Sequence, residues 1–214
     1  MEQQEREDRY FSLLALPKGE APESHKAALD RAHELRKFEI ENYWKRSSYF
    51  WGFQLVAFGA LALVAKDGKF HPPFVLIVAV LGALTALTGL LTAKGSKFWQ
   101  ANWEAHVDFL EKKVEGNLHT TALSETKIQY SVSRVNERLL EILLAGWLLA
   151  FAAASAVLVW PQLLSLTPDE ARIWQIAIPA LVLILGFFRL IHGQRSKLRG
   201  RAYLRSNLLP INDD

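Results

Sequence analysis

Residues 73–93 read PFVLIVAVLGALTALTGLLTA, 21 consecutive positions without a charge. A helix needs about 20 apolar residues to cross the hydrocarbon core of a bilayer, with roughly 17 to 25 tolerated. A helix of a soluble bundle would carry polar residues along its outer face, and here every face is apolar. Three further windows behave alike. Residues 48–65 and 142–160 hold no charge, and 173–188 extends through Leu190 and Ile191 with only Arg189 near its end. The expected fold is an all-α integral membrane protein with four transmembrane helices and helical cytoplasmic extensions.

Half of the 214 residues are apolar and 22% are charged, and the charges avoid these windows instead of interleaving with apolar residues at helical or strand spacing. A net charge of +3 is mild and does not make a nucleic-acid binder. The absence of cysteine excludes disulfide scaffolds, cysteine zinc sites, iron–sulfur clusters and thiol nucleophiles together. The start of the chain, MEQQEREDRYFSLLALPKGEAPES, is acidic and polar and lacks the basic start and apolar centre of a secretory signal.

The chain divides into a cytoplasmic N-terminal segment and helix (1–47), a first transmembrane hairpin (48–93), cytoplasmic amphipathic helices (94–141), a second transmembrane hairpin (142–192) and a basic cytoplasmic tail (193–214). The first hairpin turns at KDGKFHP (66–72), and in the second Thr167 and Pro168 suit the start of a helix. Lys45, Arg46, Lys94, Lys97, Arg134, Arg138 and the basic tail fall on one side of the spans, whereas the two hairpin loops hold only Lys66, Lys69 and Arg172. The positive-inside rule therefore places both termini in the cytoplasm. Within ENYWKRSSYFWGF (41–53), Trp44 and Trp51 with Lys45 and Arg46 read as an interfacial belt, rings at headgroup depth and cations snorkelling to water.

No glycine or proline interrupts the chain between Ser24 and the first span, which predicts one long helix. After the second span, Trp99, Trp103, His106, Leu110, Val114 and Leu118 recur at steps of three and four, forming one helical stripe that Gly116 and Asn117 can end. A second stripe, Ile128, Val132, Val135 and Leu139, leads into the third span. These stripes need covering, which suggests an oligomer. Small residues at Gly82, Ala86 and Gly89, and at Gly146, Ala150 and Ala154, permit close helix approach, either between copies or inside one protomer. Thr85, Thr88 and Thr92 form a polar seam or bond to their own helix carbonyls.

No catalytic motif is present: there is no GxxxxGKS/T, GxGxxG, HExxH or GxSxG, and the six histidines are scattered. Hence no catalytic, cofactor-binding or metal-ligating residue is assigned. The candidate functional or interface residues are Trp99, Trp103, His106, Glu141 and Arg189. Glu141, near the edge of the third span, calls for a cation such as Arg138 or Arg189, and Pro179 should kink the fourth span. The expected partners are membrane lipids and further copies of the chain, with no nucleic acid.

At NYWKRSSYFWGF (42–53) and GSKFWQANWEAHVDFLEKKVEG (95–116) the sequence resembles the RipA family of octameric membrane proteins, over most of residues 38–160. The second block, with Trp99, Trp103, Glu104, His106 and Glu111, is the more specific. The resemblance implies a bacterial inner-membrane helical protein assembling as a homo-octamer with a cytoplasmic region, without a known enzyme activity. The leading expectation is a non-enzymatic oligomer of scaffold or sensor type around a central pore. Two alternatives are a channel or pore-forming effector in stress or phage defence, and a membrane-bound transporter or lipid-acting enzyme using Glu141, His106 and Arg189.

Overall fold

The computed structural model describes residues 2–17, 22–65, 71–121, 130–164 and 170–192, and among them it is built from five helices: α1 (Glu2–Leu13), α2 (Pro22–Ala65), α3 (Pro72–Val114), α4 (Val132–Leu164) and α5 (Glu170–Ile191). Four of these, α2 to α5, are long and apolar enough to cross a membrane. α2 has 44 residues without internal glycine or proline before Gly52, so the backbone hydrogen-bond ladder continues from the charged half into the apolar half. α3 has the reverse polarity, apolar first and charged last, and ends with Lys112 and Lys113 where the helix dipole favours cations.

The chain forms two compact units. Among the described residues the first comprises 2–17, 22–40 and 98–121, the second 41–65, 71–97, 130–164 and 170–192. Unit one is organised by α1, an element whose EQQEREDRYFSL sequence hides its role because only its last turn is apolar. Tyr10 and Phe11 are each 1% exposed and pack with Leu29 and Ala32 of α2 and with Val107 and Leu110 of α3. Tyr10 stacks on Phe109 at 4.7 Å between ring centroids, and Phe11 lies 4.8 Å from His25. The buried ring of His25 donates from Nε2 to the Pro17 carbonyl at 2.8 Å, which fastens the chain leaving α1. Part of the demand for cover along the α3 stripe, at Leu110 and Val114, is thus met by this N-terminal helix. The buried row of α3 here is Val107, Leu110 and Glu111, so the face is turned from the expected Trp99–Leu118 stripe, and Leu118 lies past the helix, exposed.

Unit two holds the apolar halves. Val78, Ala79, Ala83 and Ala86 of α3 bury against Trp147 of α4, with Leu76, Ala154 and Leu158 forming a second cluster. Gly82 is required by this packing. A Cβ there would sit 2.4 Å from the Trp147 indole, well inside van der Waals contact. Gly89 likewise faces Phe50 at 3.1 Å. The small-residue row of α3 therefore packs inside one protomer, whereas Gly146 of α4 has open space beside it.

α1 and α3 end differently. Ala15 takes a left-handed φ of 53° while the Leu16 amide reaches back to the Phe11 carbonyl, a Schellman arrangement usually given to glycine. Beyond α3, Gly116 supplies the positive φ of 82° and its amide bonds the Glu111 carbonyl at 2.9 Å. Ile128, Thr167, Pro168, the first hairpin loop at 66–70 and the basic tail lie outside the described residues.

Candidate functional site

In unit one, α1 places the Tyr10 hydroxyl 2.8 Å from His106 Nδ1. Burial pushes the Tyr10 pKa well above its ordinary value, so the neutral hydroxyl shares this hydrogen bond with the imidazole. Trp103 lies one turn earlier on α3 with its ring centroid 5.2 Å from that of His106. Both side chains line an apolar groove of about 220 Å³ together with Leu14, Leu16, Leu35 and Leu110. Trp99 stands apart from this groove in an edge contact with Phe98 at 5.8 Å. Of the sequence candidates on α3, two therefore converge and one does not.

Glu111 is the functional-looking residue that spacing alone did not single out as special. Its side chain is 1% exposed, and its two carboxylate oxygens accept the backbone amides of His119, at 2.5 Å, and Thr120, at 3.0 Å. Burial taken alone would raise its pKa, but those amides, the Thr120 hydroxyl and nearby His119 outweigh it and hold the carboxyl below its usual value. The adjacent His119 ring also reaches Asp108 at 2.7 Å. This clasp folds the chain back over the end of α3, a structural duty for a carboxylate that otherwise resembles a buried acid.

In unit two the belt residues are tied more closely than snorkelling implies. Arg46 donates to Ser96 Oγ at 2.7 Å, and Trp51 donates its indole N–H to Asn136 Oδ1 at 3.1 Å. Asn136, itself buried, donates to the Tyr43 hydroxyl and Ser47 Oγ at 2.9 and 3.1 Å, and the Tyr43 hydroxyl donates to the Ser133 carbonyl at 3.2 Å. Trp44 is partly exposed beside Tyr43, and Lys45 is exposed. Glu141 lies 2.6 Å from Arg138 and 3.8 Å from Lys94, while Arg189 sits exposed in the last turn of α5.

Deeper in the spans, Gln54 is 3% exposed and fully engaged. Its Nε2 donates to the Gly82 carbonyl at 3.1 Å and to Thr85 Oγ1 at 2.8 Å, and its Oε1 accepts the Trp147 indole N–H. Thr85 and Thr88 donate back to Leu81 and Leu84 carbonyls of their own helix. A signal for this cluster was present: Gln54 is a strongly polar residue in an otherwise apolar window, and hydrocarbon obliges such a group to find a partner. Among the described residues no group of three or more histidine or carboxylate side chains is placed to hold a metal ion.

The model of the octameric membrane protein family (8xMP) matches residues 26–157, well over half of the chain. The chain belongs to that family. For this octameric membrane protein family member, the match begins within α2, covers α3 and runs through α4 to Val157, leaving α1 and α5 outside it. Both blocks on which the resemblance was drawn fall inside the match, although the narrower RipA label is not part of the family description. No curated protein and no solved structure was found similar to the chain.

Proposed function

We propose that this family member is one subunit of a non-enzymatic homo-octamer in the bacterial inner membrane, with both termini cytoplasmic, that acts as a scaffold. The observation that carries this reading is how its buried polar groups are used. Gln54, Asn136 and Glu111 each have their hydrogen-bonding capacity taken up by neighbouring helices or by the chain's own backbone, so these buried polar groups serve to hold helices and the chain after α3 in place. Glu141, held by Arg138 and Lys94, supports a structural carboxylate over an ion-pathway one. The groove at Trp103 and His106 supports a docking role for the first unit, since its lining is mainly apolar with Arg31 and His106 as its polar groups.

Native mass spectrometry of the detergent-purified protein tests the assembly, with eight copies expected and a monomer overturning it. Planar-bilayer recording tests the scaffold role against a channel: silence across voltage and pH is expected, and discrete conductance steps would replace the scaffold with a pore.

A further inference from the structure

α4 carries two apolar faces, and the protomer fills one. Asn136, Leu140, Trp147, Ala154 and Leu158 turn into unit two and are buried. About a quarter-turn away, Val132, Val135, Leu139 and Ile142 follow at steps of three, four and three and are 66%, 57%, 39% and 67% exposed. The row continues through Gly146, Leu149 and Ala153 at steps of four, three and four. That is the alternation of a helix seam that receives knobs from a facing helix. Gly146 and Ala153 keep its membrane half shallow.

Exposure in the membrane half has a simple explanation, because lipid tails satisfy apolar side chains there; α5 packs one side through Ile176, Leu183 and Phe187 and leaves Ile178, Leu181, Ile184, Leu185 and Phe188 exposed in that sense. The first half of the α4 row does not share it. Val132, Val135 and Leu139 alternate with Ser131, Arg134, Glu137 and Arg138, a composition that belongs in water. A row of β-branched and leucine side chains set among charged ones beside the Trp51–Asn136 contact, and left uncovered by its own protomer, marks an interaction surface. From this we infer that the α4 face running from Val132 through Ile142 is where a second copy of this chain packs in the octamer. The copy is the occupant because the family is an octameric one, and because the family match includes this face to Val157 but stops before the lipid-type helix α5. The inference rests on the oligomeric reading above and adds the surface that builds it.

The chain contains no cysteine, so single thiols can be introduced without removing any. Purified octamer carrying V135C is compared with R134C, a neighbouring exposed position turned away from the row. Maleimide labelling of V135C should be about tenfold slower than that of R134C in the assembled protein, the difference expected when a neighbouring helix covers the site. It should become equally fast after the octamer is dissociated in harsher detergent. In parallel, Val135→Glu should lower the octamer share in native mass spectra by roughly tenfold, since an unpaired charge would be buried in the seam. Equal labelling of both thiols in an intact octamer overturns the surface while leaving the assembly standing. Slow labelling that persists in the monomer shows detergent or lipid as the cover and also overturns it. A wild-type monomer overturns the assembly itself. If Val135→Glu fails to fold, the labelling comparison decides alone.

Discussion

Ala15 is the clearest case of a residue working against its own chemistry. A side chain in the left-handed region crowds the following carbonyl at a cost of about 1–2 kcal/mol, which glycine avoids. Ala15→Gly should therefore tighten α1 by about 0.5–1 kcal/mol after the greater freedom of glycine in the unfolded chain is counted. Slower hydrogen exchange at Tyr10 and Phe11 amides would report it; faster exchange would refute the strain. Glu111 makes the opposite argument. Its lowered pKa means the folded clasp favours the ionised form, so its stabilisation is present above the ordinary carboxylate value of 4.5 and is lost as pH falls through the folded value. Protection of the His119 and Thr120 amides, taken relative to their intrinsic exchange rates at each pH, should fall as the solution is acidified below that value. Glu111→Ala should give the fast rate at pH 7, by about tenfold or more given roughly 1.5–3 kcal/mol for hydrogen bonds to a charged group.

At the scale of helices, packing is set by a few shape and polarity matches. Gly82→Ala forces a methyl into the Trp147 indole and should cost about 1–3 kcal/mol, read as a lower melting temperature in detergent. Gln54→Leu removes the acceptor of the Trp147 N–H and should destabilise by about 1–2 kcal/mol, a modest figure because helices in a membrane find substitute partners when unfolded. Doing both should be less than additive, since the two changes disturb one indole. The four spans were legible in the residues because hydrocarbon imposes a length and a ban on charge that any stretch must meet on its own. The α1 helix was not legible in that way. Tyr10 and Phe11 look like two aromatics in an acidic tail until α2 and α3 provide the surface they cover. The candidate residues divide on the same ground: Trp103 and His106 were found by their helical step, which is local, whereas the use of Gln54, Asn136 and Glu111 depends on partners 28 to 93 positions away or on a loop folding back.

For the molecule as a whole, the proposed orientation rests on charge placed beside the spans, and it makes a direct expectation. In intact cells a membrane-impermeant maleimide should label Lys69→Cys in the first hairpin loop and spare Glu5→Cys at the N-terminus, with both labelled after lysis. The reverse pattern would turn the protein over in the membrane and move its charged helical parts to the other compartment. The family match spans residues 26–157, within α2, α3 and α4, while α1 and α5 lie outside it.

The bare flank at Val132, Val135 and Leu139 also bears on how the cell makes this protein. A newly inserted subunit that has not met its neighbours would leave this greasy strip uncovered, the kind of mark chaperones and proteases read. Surplus copies should then be degraded faster than those already joined, and a pulse-chase half-life that shortens as Val135→Glu disrupts joining would register that surveillance.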